Sequence, residues 1–251
     1  MFSIPNVKSP RPDGYNSGFY KSSWSIIGPL QKCLQITGFQ EGSLPFGYLG
    51  VPITARRLGT LEYRELVDKI MLRVKGWATR IISFIGRAVL INSVLFGMFN
   101  YWASIFILPQ EVVDKITKIC RNYLWGANPD TKKIPYISCQ VTCTPKKVGG
   151  LGIKNLTLWN QASIAKLVWD IANKKDSLWA RWVHGRYLKN KNWWGYIPAQ
   201  DNSWYWKKLC AMKNKFKVSD AEKIHKDWEG VKHYTVKAGY IWLLDKHERK
   251  D

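Results

Sequence analysis

A mainly α-helical chain is what this sequence predicts: a helical bundle, then a basic, tryptophan-rich helical region, with short β-hairpin elements. Three observations carry that reading. Apolar residues recur at helical spacing, as in Leu66, Val67, Ile70, Met71 and Val74. Turn-forming Pro, Gly and Ser crowd the first 57 residues and leave room there only for short strands. The composition is globular, with 46% hydrophobic and 23% charged residues in 251, enough for one or two domains with a sizeable core.

Residues 1–29 read as loop with a short aromatic segment, Phe19 to Ile27. Residues 30–57 hold turn signals at Gly42-Ser43 and Pro45 around Tyr48-Leu49-Gly50-Val51-Pro52, which predicts a hairpin. A first helix is expected from about Leu61 to Gly76, with Thr60 as its cap and Glu62 in its first turn. A second, from about Ile81 to Phe99, is apolar almost all round, so it is expected at the centre of the bundle. A third begins at Pro109, presents Val112, Val113, Ile116, Ile119, Tyr123 and Leu124, and ends at Trp125-Gly126.

After a basic loop-rich stretch, 127–154, two helices are expected at about Leu156–Ala172 and Asp176–Leu188, capped by Asn155 and Asp176. A Trp-rich segment, Trp193 to Trp206, leads into a short basic helix ending near Phe216. The tail adds a strand-like run, Val231 to Val236, and a short helix, Lys237 to Leu244.

The net charge of +21 is unevenly placed: residues 130–217 hold 17 Lys and Arg against 4 Asp and Glu, whereas 218–251 balance. Such a field attracts polyanions, and counterion release then drives binding. Ala88 to Gln110 carries no charge and is long enough to span a bilayer. Asn92, Ser93, Gly97, Asn100 and Ser104 interrupt it and Pro109 closes it, so a buried helix pair, or a helix followed by a strand-like run, is expected and no membrane partner; the span stays as the alternative. Met1–Pro10 lacks the apolar core of a secretory signal. Cys33, Cys120, Cys139, Cys143 and Cys210 are odd in number and loosely spaced, which fits free thiols in an intracellular setting, nuclear or cytoplasmic.

Catalytic signals are sparse. His184, His225, His233 and His247 have no recommended partner, and no phosphate loop is present. Gly149-Gly150-Leu151-Gly152 either approaches a phosphate backbone or is a plain turn. Cys139 and Cys143 have ligand-like spacing without a second pair nearby, so no metal or other cofactor is expected. Lys69, Arg73, Lys75, Arg80 and Arg87 are candidates to touch phosphates from the first two helices, and Lys132, Lys133, Lys146, Lys147 and Lys154 extend the track. Trp193, Trp194, Trp204 and Trp206 alternate with lysines; they serve either for stacking on unpaired bases or as core.

Several long segments resemble one family. "LPFGYLGVPI" (Leu44–Ile53) resembles the segment after the catalytic palm of plant LINE-type, non-LTR retrotransposon reverse transcriptases. "KGWATRIISFIGRAVLINSVLFGMFNYWASIFILP" (Lys75–Pro109) is similar to their thumb, and "PKKVGGLGIKNLTLWNQASIAKLVWDI" (Pro145–Ile171) to the region that follows. "HYTVKAGYIWLL" (His233–Leu244) resembles the opening of the domain called the reverse-transcriptase zinc-binding domain. "SPRPDGYNSGFYKSSWSIIG" (Ser9–Gly28) is similar to the fingers segment that precedes the palm, yet here Gly28 runs straight into Pro29-Leu30.

The resemblance therefore implies a fingers-like remnant at 1–29, the end of the palm with a primer-grip-like hairpin at 30–57, and a thumb-like bundle at 58–126. A basic helical region at 127–217 and the truncated start of the zinc-binding-like domain at 218–251 follow. It implies that Tyr48, Leu49 and Gly50 match the primer grip. The family holds two Mg²⁺ ions on palm aspartates, including an adjacent Asp-Asp pair, and this chain has no such pair, so those ligands carry over to no residue. The expectation is a catalytically inactive remnant, not an enzyme, whose partner is RNA or DNA bound without regard to sequence. The surface that would face a palm is expected to drive association or aggregation. The alternative is part of an active RNA-directed DNA polymerase whose palm was dropped by an error in the gene structure.

Overall fold

The computed structural model describes residues 35–38, 44–54, 57–126, 142–144, 149–189, 191–218 and 234–248. Phe19–Ile27, Gly42-Ser43, Lys132, Lys133, Cys139, Lys146, Lys147 and Val231–His233 lie outside the described residues. The chain divides into two compact units, Met1–Ala55 and Arg56–Asp251. The expected boundaries near 126 and 217 both fall inside the second.

In the first unit, strands β1 (Phe46–Tyr48) and β2 (Val51–Ile53) pair antiparallel, Phe46 opposite Ile53 and Tyr48 opposite Val51. Their two-residue loop has both members left-handed, Leu49 at φ 50° and Gly50 at φ 79°. That geometry matches the right-handed twist of the strands. Gly50 adopts it freely, whereas Leu49 does so at a cost of about 1 kcal/mol.

The second unit is helical. Helix α1 (Arg64–Ala78) buries Leu66, Ile70 and Val74 along one face. It starts later than expected because residues 61–63 form a turn of their own, closed by Arg64 N–H on the Leu61 carbonyl (3.0 Å) and by Gly59 N–H on Glu62 Oε2 (2.9 Å). Gly76 does not stop it; the helix runs two residues further. Helix α2 (Phe84–Ile105) is capped by Ser83, whose hydroxyl accepts from Gly86 N–H, and contains a π-helical turn at Ile91–Leu95. Helix α3 (Gln110–Gly126) is strongly amphipathic and buries the six apolar residues expected of it. The Pro109 carbonyl accepts its first hydrogen bonds, from Val112 and Val113.

Helix α4 (Leu156–Ala172) has the predicted limits and the predicted cap, Asn155 Oδ1 accepting from Leu158 N–H at 3.1 Å. Helix α5 (Leu178–Val183) continues as a π-helical turn, His184–Leu188. Ser177 caps it in place of Asp176, which pairs with Arg181 instead. Helices α6 (Trp204–Val218) and α7 (Val236–Glu248) complete the unit. Of the expected strand-like run, Val236 is already helical and Tyr234 and Thr235 form the lead-in, with Thr235 Oγ1 accepting from Ala238 N–H.

The centre of this unit is α4, not α2. Helix α4 packs against α2, α3, α5, α6 and α7. Ala162, Ser163 and Ala165, all buried, let its neighbours approach closely. Ile85 and Val89 of α2 are exposed, and with Ile81 just ahead of the helix they form a stripe at four-residue spacing facing solvent. An all-apolar sequence marks a helix as able to be central; the small residues of α4 decide which helix is.

Two sets of polar contacts fix α4. Buried Asn160 accepts from Leu108 N–H (3.0 Å) and donates to the carbonyls of Ala103 (2.9 Å) and Phe106 (2.8 Å), closing the α2–α3 connection. Tyr234 donates its hydroxyl proton to the Ala162 carbonyl at 2.8 Å. Gly239 is required here, because a Cβ at that position would meet the Tyr234 oxygen at 1.8 Å. A second core gathers Ile164, Val168, Ile171, Val183, Leu188, Trp193, Trp206 and Leu209 between α4, α5 and α6.

Candidate nucleic-acid interface

The hairpin tip of the first unit presents Tyr48 and Leu49 to solvent, with Gly50 beside them. In the second unit, Lys69, Arg73 and Lys75 are exposed on α1, with Lys69 and Arg73 one turn apart on the same face. Lys69 pairs with Glu65 at 2.6 Å. Both side chains of that pair are about half exposed, so it contributes little and Lys69 can exchange partners. Arg80 is exposed between α1 and α2.

Arg87 and Lys154 are placed differently. Arg87 is half-buried, its Nε has no hydrogen-bond partner, and its charge reaches the Tyr123 hydroxyl inside α3. Burial raises the Tyr123 pKa and the Arg87 charge opposes that rise. Lys154 lies with its ammonium 4.0 Å from the Phe96 ring centroid and 5.2 Å from that of Trp159. Burial, then the neighbouring charge of Lys237, lowers its pKa below the usual lysine value. A cation held on two rings is less available to a phosphate than one in water.

The tryptophans divide between the two roles open to them. Trp193 and Trp206 are buried in the second core, and Tyr187 stacks on Trp206 at 4.4 Å. Trp193 is therefore corrected from a stacking surface to a wall of the core, because its ring faces are already covered. Trp194 is half-buried, and Trp204 is half-buried beneath the Arg57 guanidinium, 4.3 Å from its centroid.

Sequence reasoning missed Lys213. Its side chain is buried, and Nζ donates to the carbonyls of Trp193 (3.2 Å), Trp194 (3.4 Å) and Tyr196 (2.5 Å). It fixes the tryptophan loop from below. It also missed how far the exposed charge extends. Lys166, Lys174, Lys175, Arg181, Arg186, Lys189, Lys191, Lys207 and Lys208 are all exposed. Between 156 and 214 they face only Asp170, Asp176 and Asp201 as carboxylates, and the first two are already paired with Lys175 and Arg181. The lysine excess of this stretch was the available signal; its arrangement depends on helices whose packing spacing alone does not give.

Among the described residues no three His, Cys, Asp or Glu side chains gather where they could hold an ion. Cys120 and Cys143 are half-buried, and Cys210 is buried. Among the described residues, α2 is long and apolar enough to cross a membrane, and about a third of its most apolar stretch is buried in the fold.

No protein-family model matches the chain. A protein of Arabidopsis thaliana named "Putative ribonuclease H protein" is 29% identical over 164 residues, a match that takes in 64% of this chain and 26% of that protein. An "Uncharacterized mitochondrial protein" of the same plant is 26% identical over 110 residues, 43% of this chain and 71% of that protein. The chain thus spans about a quarter of the length of the first relative.

Proposed function

We propose that this chain derives from a plant LINE-type retrotransposon reverse transcriptase and keeps a grip on RNA or DNA, indifferent to sequence, without polymerising. In this reading α1–α3 are the thumb-like part, the hairpin is the primer-grip-like element, and 218–251 begins the zinc-binding-like domain. The observation that carries it is the exposed cationic surface of 166–208, nine Lys and Arg against three Asp. Similarity to a plant protein named for ribonuclease H supports a transposon-derived ancestry. The absence of any adjacent Asp-Asp pair from the sequence supports a loss of polymerisation, which needs clustered carboxylates around two Mg²⁺ ions.

The test uses fluorescence anisotropy with a labelled single-stranded RNA. With about five phosphate contacts, affinity is expected to fall about a hundredfold between about 50 and about 200 mM salt. Binding that ignores salt, or no binding at the lower salt, would sink the reading. Primer extension with Mg²⁺ checks the other half: no nucleotide incorporation is expected, and incorporation would overturn it.

A further inference from the structure

A cleft of about 820 Å³ opens where α4 and the π-helical turn after α5 both end, lined by Lys174, His184, Lys189, Lys191, Trp193 and Trp194 among others. Its volume lies within the range of small-ligand sites. Three features distinguish it from a chance dent. Among the described residues no carboxylate lines it, while three exposed lysines do. Lys174 and Lys189 both hold the left-handed backbone conformation, at φ 46° and 43°, where glycine is favoured. Trp194 gives the wall a half-buried ring, with the buried Trp193 of the second core behind it. Lysines at helix ends also complement the helix dipole, but that role requires neither a cleft nor an aromatic wall.

We propose that this cleft takes one unpaired nucleotide of a bound strand, its phosphate on Lys174, Lys189 and Lys191 and its base against Trp194. The inference rests on the nucleic-acid reading above and locates it. The buried Lys213, bonded to the carbonyls of Trp193 and Trp194, holds this wall in place before a strand arrives. Phosphate contact and base stacking together favour single strands over duplex, whose bases are already stacked.

The test is photo-crosslinking of the full chain to a short oligonucleotide carrying 5-iodouridine, followed by peptide mapping. The adduct is expected on the tryptic peptide Asn192–Lys207. The double variant K174G/K189G relieves the backbone strain while removing two charges, so its melting temperature should hold while the adduct falls several-fold. K191Q, at an exposed position, should lower it as well, read on the longer tryptic peptide Asn190–Lys207 that this change leaves, and serves if the double variant is unstable. An abasic oligonucleotide of the same length should bind less tightly than its parent, and an equal affinity would overturn the stacking. An adduct confined to other peptides would overturn the cleft and leave general binding intact. An adduct on Asn192–Lys207 that neither lysine variant reduces would overturn the phosphate cradle. Absence of binding at low salt would sink both proposals together.

Discussion

Asn160 is one side chain with three backbone partners, Ala103 in the last turn of α2 and Phe106 and Leu108 in the connection to α3. Asn160→Ala would leave an N–H and two carbonyls buried without partners, and is expected to destabilise the fold by about 2–4 kcal/mol, read as a lower urea midpoint. Titrating groups make a second residue-scale prediction. Burial raises the Tyr63 and Tyr205 hydroxyls from 10.0 to about 12 and the Cys210 thiol from 9.0 to about 11, with Arg57 and Lys213 opposing the rise at Tyr63 and Cys210. The folded chain therefore keeps these protons after the unfolded chain has lost them. Their contribution is whole below the unfolded values and is lost as pH climbs through 11 and 12. The thermal midpoint should decline across that window, and a flat midpoint there would contradict the burial of these groups. Lys154 has the opposite sign: its lowered pKa makes it a small drain on stability at neutral pH that eases as pH approaches the ordinary lysine value of 10.5.

At the scale of elements, Asn155→Ala removes the α4 cap and is expected to cost about 1 kcal/mol, measured by urea unfolding. The caps and limits of α3 and α4 were legible because local chemistry sets them: a carbonyl at Pro109, an amide side chain at Asn155, apolar residues at one helical period. Two things were not legible. The start of α1 was displaced by a turn that Glu62 stabilises from its side chain, a contact invisible to a pattern that reads Glu62 as a first-turn acid. The placing of α2 was misread because hydrophobicity states what a helix tolerates, not what surrounds it. For the interface, residue type was legible and accessibility was not: Arg87, Lys154 and Trp193 have suitable chemistry but are drawn inward by Tyr123, by Phe96 with Trp159, and by the second core. The exposed stripe Ile81, Ile85 and Val89 leads to a further expectation. I85E/V89E should leave stability within about 0.5 kcal/mol of the parent, as solvent-facing substitutions do, and should reduce self-association in sedimentation velocity. If the parent chain instead resists carbonate extraction from membranes and the variant does not, α2 is an anchor.

At the scale of the molecule, Arg56–Asp251 is one compact unit in which α4 touches helices from both sides of the segment 127–141. Net charge and shared packing meet in one helix: α4 carries part of the cationic surface of α4–α6 and also packs against α2 and α3, on which α1 rests. The hub also bears on what happens when the polypeptide is cut. A protease that severs one peptide bond between residues 127 and 141 separates the pieces by sequence but not by contact, since α2 and α3 still lie on α4. The nicked protein should run as two bands under denaturing conditions and elute as a single species under native ones. Two halves synthesised apart should find each other and restore the whole.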